Sequence, residues 1–141
     1  MTAIRSPQEL YRGSLKLLLE KDISAWVDLW AEDAVMEFPF APPGWPTRLN
    51  GKAAVADYMR DYPDQIDLAD FPEVRIHQST DPETIIVEQR AVGRLVESDA
   101  PYDMRYIAVV TVRNEQIVQY RDYWNPLNIM TTGVDLSGAA Q

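Results

Sequence analysis

Asp122 is the residue of this chain best placed to do chemistry. In Tyr120-Arg121-Asp122-Tyr123-Trp124 it alternates with two aromatic residues. On a β-strand Tyr120, Asp122 and Trp124 share one face. A carboxyl among apolar groups is desolvated, which disfavours its charged form and raises its pKa. It can then give or take a proton near neutral pH. The bland alternative is a strand acid paired with Arg105 or Arg121. His77 is the sole histidine and alternates with Arg75 and Ser79. It suits general acid–base work at neutral pH, or is simply a surface strand histidine. A serine–histidine–acid triad through Ser79 is disfavoured, because residues two apart on a strand do not form the needed line of hydrogen bonds.

Other residues suit the binding of a ring. Trp26 and Trp30 lie one helical turn apart and make a bulky stripe, either core packing or one wall of a pocket. Phe40 lies in the run Pro39-Phe40-Ala41-Pro42-Pro43-Gly44-Trp45-Pro46. Such a proline-rich loop is stiff and suits a lip. Trp26, Trp30, Phe40 and Trp124 are expected to sandwich a ring, Tyr120 or Tyr58 to donate to an oxyanion, and Arg105 to hold a substrate carboxylate.

Composition excludes several classes. With no cysteine and one histidine, thiolate and multi-histidine metal sites, disulfide scaffolds and cysteine nucleophiles are out. No metal and no cofactor is expected. The 22 acids against 13 bases give a net charge of -9, which argues against a nucleic-acid binder. The acids Asp57, Asp61, Asp64, Asp67, Asp70 and Glu73 read as a solvated surface, since they lack the spacing of a calcium loop. No apolar run is long enough to span a bilayer, and no secretory signal is evident. The expectation is a cytoplasmic protein: one domain over residues 1–130 of the 141, then a loose tail over 131–141.

The elements follow from local pattern. Ser6, Pro7 and Glu9 form a capping box for a helix over about residues 7–20. Asp22 caps a second short helix with Ile23, Trp26, Val27 and Trp30 as its stripe. Residues 34–38 read as a short strand. Asn50 caps a third helix carrying Val55, Tyr58, Met59 and Tyr62, which Pro63 ends. Strands are expected at 73–79, 84–96, 102–113 and 116–124, with Asn114-Glu115 as a tight hairpin. Helices early and strands late argue for an α+β fold, helices packed on one face of an antiparallel sheet.

A two-residue turn at Asn114-Glu115 pairs Thr111 with Val118, Val109 with Tyr120, Ile107 with Asp122 and Arg105 with Trp124. One face then holds Ile107, Val109, Thr111, Val118, Tyr120, Asp122 and Trp124. The other holds Tyr106, Ala108, Val110, Val112, Ile117, Gln119, Arg121 and Tyr123. Both faces are substantially apolar, and the helices cover only one. The other is expected to meet a second copy, giving a homodimer through the sheet.

Glu37-Phe38-Pro39-Phe40-Ala41-Pro42-Pro43-Gly44, then Leu49-Asn50-Gly51-Lys52-Ala53-Ala54-Val55, resemble the loop and third helix of SnoaL-like proteins of the nuclear transport factor 2-like superfamily. The ending Tyr120-Arg121-Asp122-Tyr123-Trp124-Asn125-Pro126-Leu127 resembles their last strand. Tyr62-Pro63-Asp64, Thr80-Asp81-Pro82 and Val87-Glu88 before Gly93 are similar to the phenazine-biosynthesis A/B family. The resemblance implies a cone-shaped α+β barrel, a curved sheet wrapped around three helices, with a pocket between them and dimers through the sheet. It implies an acid–base role for Asp122, with His77 as the counterpart of a helping histidine. The phenazine proteins carry glutamate there. The shorter aspartate moves the carboxyl by about one bond, ~1.5 Å.

Three functions fit. The first is a cofactor-free enzyme that isomerises, cyclises, dehydrates or condenses a small apolar or aromatic ring compound by proton transfer. The second is a non-catalytic ligand-binding or dimerisation module of the same fold. The third is epoxide hydrolysis by an inward acid–arginine–acid set of Asp122, Arg105 and Asp103.

Overall fold

The computed structural model describes residues 5–127. The expected tail over 131–141 lies outside them. No helix among the described residues is long and apolar enough to cross a membrane.

Helix α1 (Pro7–Leu19) opens with the capping box. Ser6 Oγ accepts from the Glu9 amide at 3.1 Å, and Glu9 Oε1 accepts from the Ser6 amide at 3.2 Å. Its inner face buries Leu10, Tyr11, Ser14 and Leu15. Helix α2 (Ile23–Asp28) is capped by Asp22, whose carboxylate accepts from the Ala25 amide. Trp30 does not continue that helix. It starts β1 (Trp30–Glu37), so this strand is longer than the 34–38 pattern predicts.

A short strand β2 (Arg48–Asn50) leads to helix α3 (Lys52–Met59). Its N-cap is Gly51 at φ 95, not Asn50. Asn50 belongs to β2, where its Oδ1 accepts from Arg48. Only glycine takes that φ without steric cost. Nor does Pro63 end the third helix: it sits in the first turn of a separate four-residue helix, α4 (Tyr62–Gln65). Proline suits that position because the first-turn amides have no intrahelical partner.

Four long strands complete the chain: β3 (Ile66–Gln78), β4 (Thr84–Leu95), β5 (Pro101–Arg113) and β6 (Gln116–Trp124). Strand β3 begins well before the expected residue 73. The six-stranded sheet runs β2-β1-β6-β5-β4-β3. It is antiparallel except that β1 and β6 run parallel. The sheet is curved and unclosed, with the helices over its concave face. Register breaks in β3 between Leu68 and Asp70, and between Asp70 and Glu73, bend the strand. At the bend Gly93 lets β3 approach: a Cβ there would lie 2.2 Å from the Asp67 carbonyl oxygen.

Asn114 and Glu115 both take positive φ, as a tight hairpin turn of the favoured twist requires. Beside the turn Val112 pairs with Ile117, as expected. Beyond it the register shifts, so that Thr111 faces Gln119, Val110 faces Tyr120 and Ala108 faces Asp122. Val118 is the extra residue of a β-bulge. The pairings expected from the bare turn are therefore wrong by one residue past the bulge. The inward row is Tyr102, Met104, Tyr106, Ala108 and Val110 with Tyr120, Asp122 and Trp124, while Ile107, Val109 and Thr111 face outward.

Candidate active site

Strand β6 turns Asp122 toward the helices. The carboxyl borders a cavity of about 120 Å³ between the concave sheet and α1 to α4. Burial pushes its pKa up to about 7. Among the described residues it makes no hydrogen bond and no ion pair that would offset this. Part of its surface faces the cavity, and the rest is covered.

The walls are aromatic. Trp26, Tyr58, Tyr120 and Trp124 line the same space as Asp122. Trp45, from the proline-rich loop, packs on Trp124 with ring centroids 5.7 Å apart and forms the lip. Phe38 packs on Tyr58 at 5.1 Å. Tyr62, Tyr102 and Tyr106 add further hydroxyls, and Tyr102 is hydrogen-bonded to Tyr106.

The tyrosine protons can be assigned by counting. Tyr11 donates its only proton to Gln89 Oε1 at 2.6 Å. At its 3.3 Å contact with Tyr120, Tyr11 must therefore accept, so the Tyr120 proton is committed. Tyr58 and Tyr62 have no hydrogen-bond partner among the described residues, and both line the cavity. Their pKa values are raised, first by burial and then by charge on neighbouring groups including Asp122. They stay protonated and act as donors.

Five residues offered for the site lie elsewhere. His77 is exposed on the outer face, paired with Glu88 at 2.7 Å. It follows the alternation of β3, in which Val74 and Ile76 are the covered residues. Arg105 is also outward, bonded to Glu73 at 2.6 Å, because β5 turns its even-numbered residues inward. Phe40 is 58% exposed and packs edge-on against outward Tyr123. Trp30 is fully buried behind the wall, stacked on Tyr120 at 5.6 Å, and does not reach the cavity. Asp103 pairs with Arg90 on the outer face, so the acid–arginine–acid set is not assembled.

The sequence reading missed Tyr11, Gln89, Tyr62, Tyr102, Tyr106, Phe38 and Trp45. Tyr102 and Tyr106 were legible as residues four apart on one strand face. Gln89 was legible as an amide alternating with Val87 and Ala91. A larger open groove of about 900 Å³ lies on the outer face, crossed by the Glu73–Arg105 pair. Its Glu73, Arg105 and Glu88 are paired at the surface, whereas Asp122 is unpaired and enclosed.

A curved, unclosed α+β sheet with helices over its concave face is the nuclear transport factor 2-like fold, here with an acid-bearing apolar pocket between the two. The chain belongs to the SnoaL-like domain family, which matches residues 11–120. It is 47% identical over 119 residues to the uncharacterised protein YesE of Bacillus subtilis, covering 84% of this chain and 81% of that one. It is 38% identical over 120 residues to an uncharacterised PhzA/B-like protein of Pseudomonas aeruginosa, covering 85% and 84%. A crystal structure from Bacillus subtilis, described as that of a candidate isomerase, superimposes with a TM-score of 0.86 at 45% identity. It covers 91% of this chain and 94% of its own.

Proposed function

We propose that this protein is a cofactor-free acid–base enzyme that moves a proton on a small ring compound, acting in the cytoplasm. The supporting observation is Asp122: an unpaired carboxyl, enclosed by aromatic walls, with a pKa near 7. A base with that pKa is half-ionised at neutral pH and can both take and return a proton. Proton removal beside a carbonyl leaves charge on the oxygen. Tyr58 and Tyr62, the free donors, would stabilise it, and in a water-poor cavity such bonds are stronger than in water. Tyr120 is engaged instead with Tyr11, which donates to Gln89. The likeness to a candidate isomerase agrees with this chemistry.

The outer face is reserved in this reading for a second copy. It presents Ile107, 45% exposed, beside its cross-strand partner Tyr123.

The catalytic reading is tested by hydrogen–deuterium exchange at the α-carbons of cyclic ketones, followed by NMR in heavy water. At least one ketone should exchange faster with the wild-type protein, and Asp122→Asn should lose ~100-fold or more of that rate. Binding of these ketones with no exchange would instead favour the non-catalytic module.

A further inference from the structure

The cavity around Asp122 has no positive end. Among the described residues that line it there is no lysine, arginine or histidine. Arg105 stands on the opposite face with Glu73. A carboxylate or phosphate entering this space would lose its water and gain no counter-ion. It would also meet a second negative charge whenever Asp122 is ionised.

The neutral polar groups in the cavity are arranged to donate. Gln89 on β4 is only 8% exposed, in the inward row with Val87 and Ala91. Its carbonyl oxygen accepts from Tyr11, which fixes the amide plane. Its NH2 group has no partner among the described residues, and it is not among the fully occluded polar atoms. That group is a free donor on the cavity wall. Gln89 pairs with Tyr106, and Ala108, two residues along β5, pairs with Asp122. The amide and the carboxyl thus stand on the two strands flanking β5, roughly 12 Å apart at the backbone. Both groups line the cavity, with Tyr106 beside Gln89. The volume of about 120 Å³ is that of a single ring, since a cavity of ~150 Å³ holds benzene.

We infer that the ligand is an uncharged molecule of one-ring size whose hydrogen-bond acceptor docks on the Gln89 amide, with its reacting carbon facing Asp122. Gln89 sets specificity, and Tyr11 is its positioning residue. This deepens the proton-transfer reading and rests on it only in taking the cavity as the ligand site.

The test uses acetophenone, benzoate and cumene, which have equal heavy-atom counts and differ only in the ring substituent. Binding to the full chain is measured by titration calorimetry at pH 8. Acetophenone should bind most tightly and benzoate ~100-fold more weakly. Gln89→Met should weaken acetophenone about tenfold and leave cumene unchanged. Should Gln89→Met destabilise the fold by stranding the Tyr11 hydroxyl, the double variant Tyr11→Phe/Gln89→Met removes both ends of that bond. Its unchanged cumene binding would report an intact cavity. Benzoate binding as tightly as acetophenone would overturn the inference. So would an acetophenone-to-cumene ratio untouched by loss of the amide, or no binding by any of the three. These ratios are read without turnover. Failure of the catalytic reading, shown by exchange that survives Asp122→Asn, is therefore a separate outcome.

Discussion

Asp122 faces Ala108 across the β5–β6 ladder, one residue out of the register in which the hairpin begins. The bulge at Val118 makes the difference. Continued without it, the Val112–Ile117 pairing would turn Gln119, Arg121 and Tyr123 inward and Asp122 outward. One extra residue therefore sets which half of the last strand meets the cavity. Deleting Val118 removes the extra residue and leaves Thr111–Gln119, Val110–Tyr120 and Ala108–Asp122 paired, so Tyr120, Asp122 and Trp124 should stay inward. We expect a loss of no more than ~2 kcal/mol of stability in urea denaturation, from the lost Val118 contacts and the altered local twist. Val118→Ala keeps the bulge and should cost about 1 kcal/mol.

The parts of the fold written in local chemistry were legible. The Ser6–Glu9 box, the Asp22 cap and the Asn114-Glu115 turn each need only neighbouring residues, and each forms as read. The bulge was not legible because Val118 is an ordinary β-residue. The bulge is matched by tertiary pairing that sequence does not show: β1 pairs with β6 on the other side and shifts register between Trp30 and Val35. Hence Tyr106 was assigned to the wrong face and Arg105 to the pocket. In the proline-rich loop, Phe40 and Trp45 are equally aromatic. Which of them turns inward depends on tertiary packing against Trp124 or Tyr123, so composition alone could not decide. Asp122 could be grouped with Tyr120 and Trp124, with which it lines the cavity, because alternation along one strand survives any register.

Asp122 should make the protein less stable as pH rises. Its folded pKa, about 7, lies above the ordinary carboxylate value of 3.8. Between those values the folded state holds a proton that the unfolded state has lost. The favourable contribution is thus complete below about pH 4 and gone above about pH 7. Asp122→Asn cannot ionise. It should match the wild type near pH 4 and exceed it at pH 8 by about 2–4 kcal/mol. Urea melts at the two pH values check this, and an equal difference at both would reject a carboxyl that is desolvated in the folded state.

Tyr58 and Tyr62 are the unspent donors, so removing one hydroxyl should slow chemistry without disturbing the fold. Tyr58→Phe and Tyr62→Phe should each lower ketone exchange by ~10–100-fold. Tyr120→Phe should have a smaller effect, because its proton already goes to Tyr11. Exchange rates and melting temperatures measured on the same samples separate the two effects.

The proposed second copy on the outer face predicts that Ile107→Glu is monomeric where the wild type is dimeric. Ile107 is 45% exposed in the single chain, and a charge there would be desolvated on pairing. Sedimentation velocity at matched concentrations gives the answer, and a monomeric wild type would dismiss the second copy.

Trp45 lines the cavity that Asp122 borders, which links the loop to the pH profile. Its ring lies 5.7 Å from that of Trp124 at an interplanar angle of 59°. Trp45→Ala should open this side of the cavity while leaving the strand and its register alone. Water would then reach the carboxyl and relieve the desolvation that raises its pKa. The pH midpoint of ketone exchange should fall from near 7 by at least about one unit, because water restores most of the lost solvation. The maximal rate should fall as well, since a carboxylate of lower pKa is a weaker base. A slower rate at an unmoved midpoint would mean that Trp45 holds substrate without controlling solvent. A midpoint that moves with the lip would mark the proline-rich loop as the element that keeps Asp122 poised near neutrality.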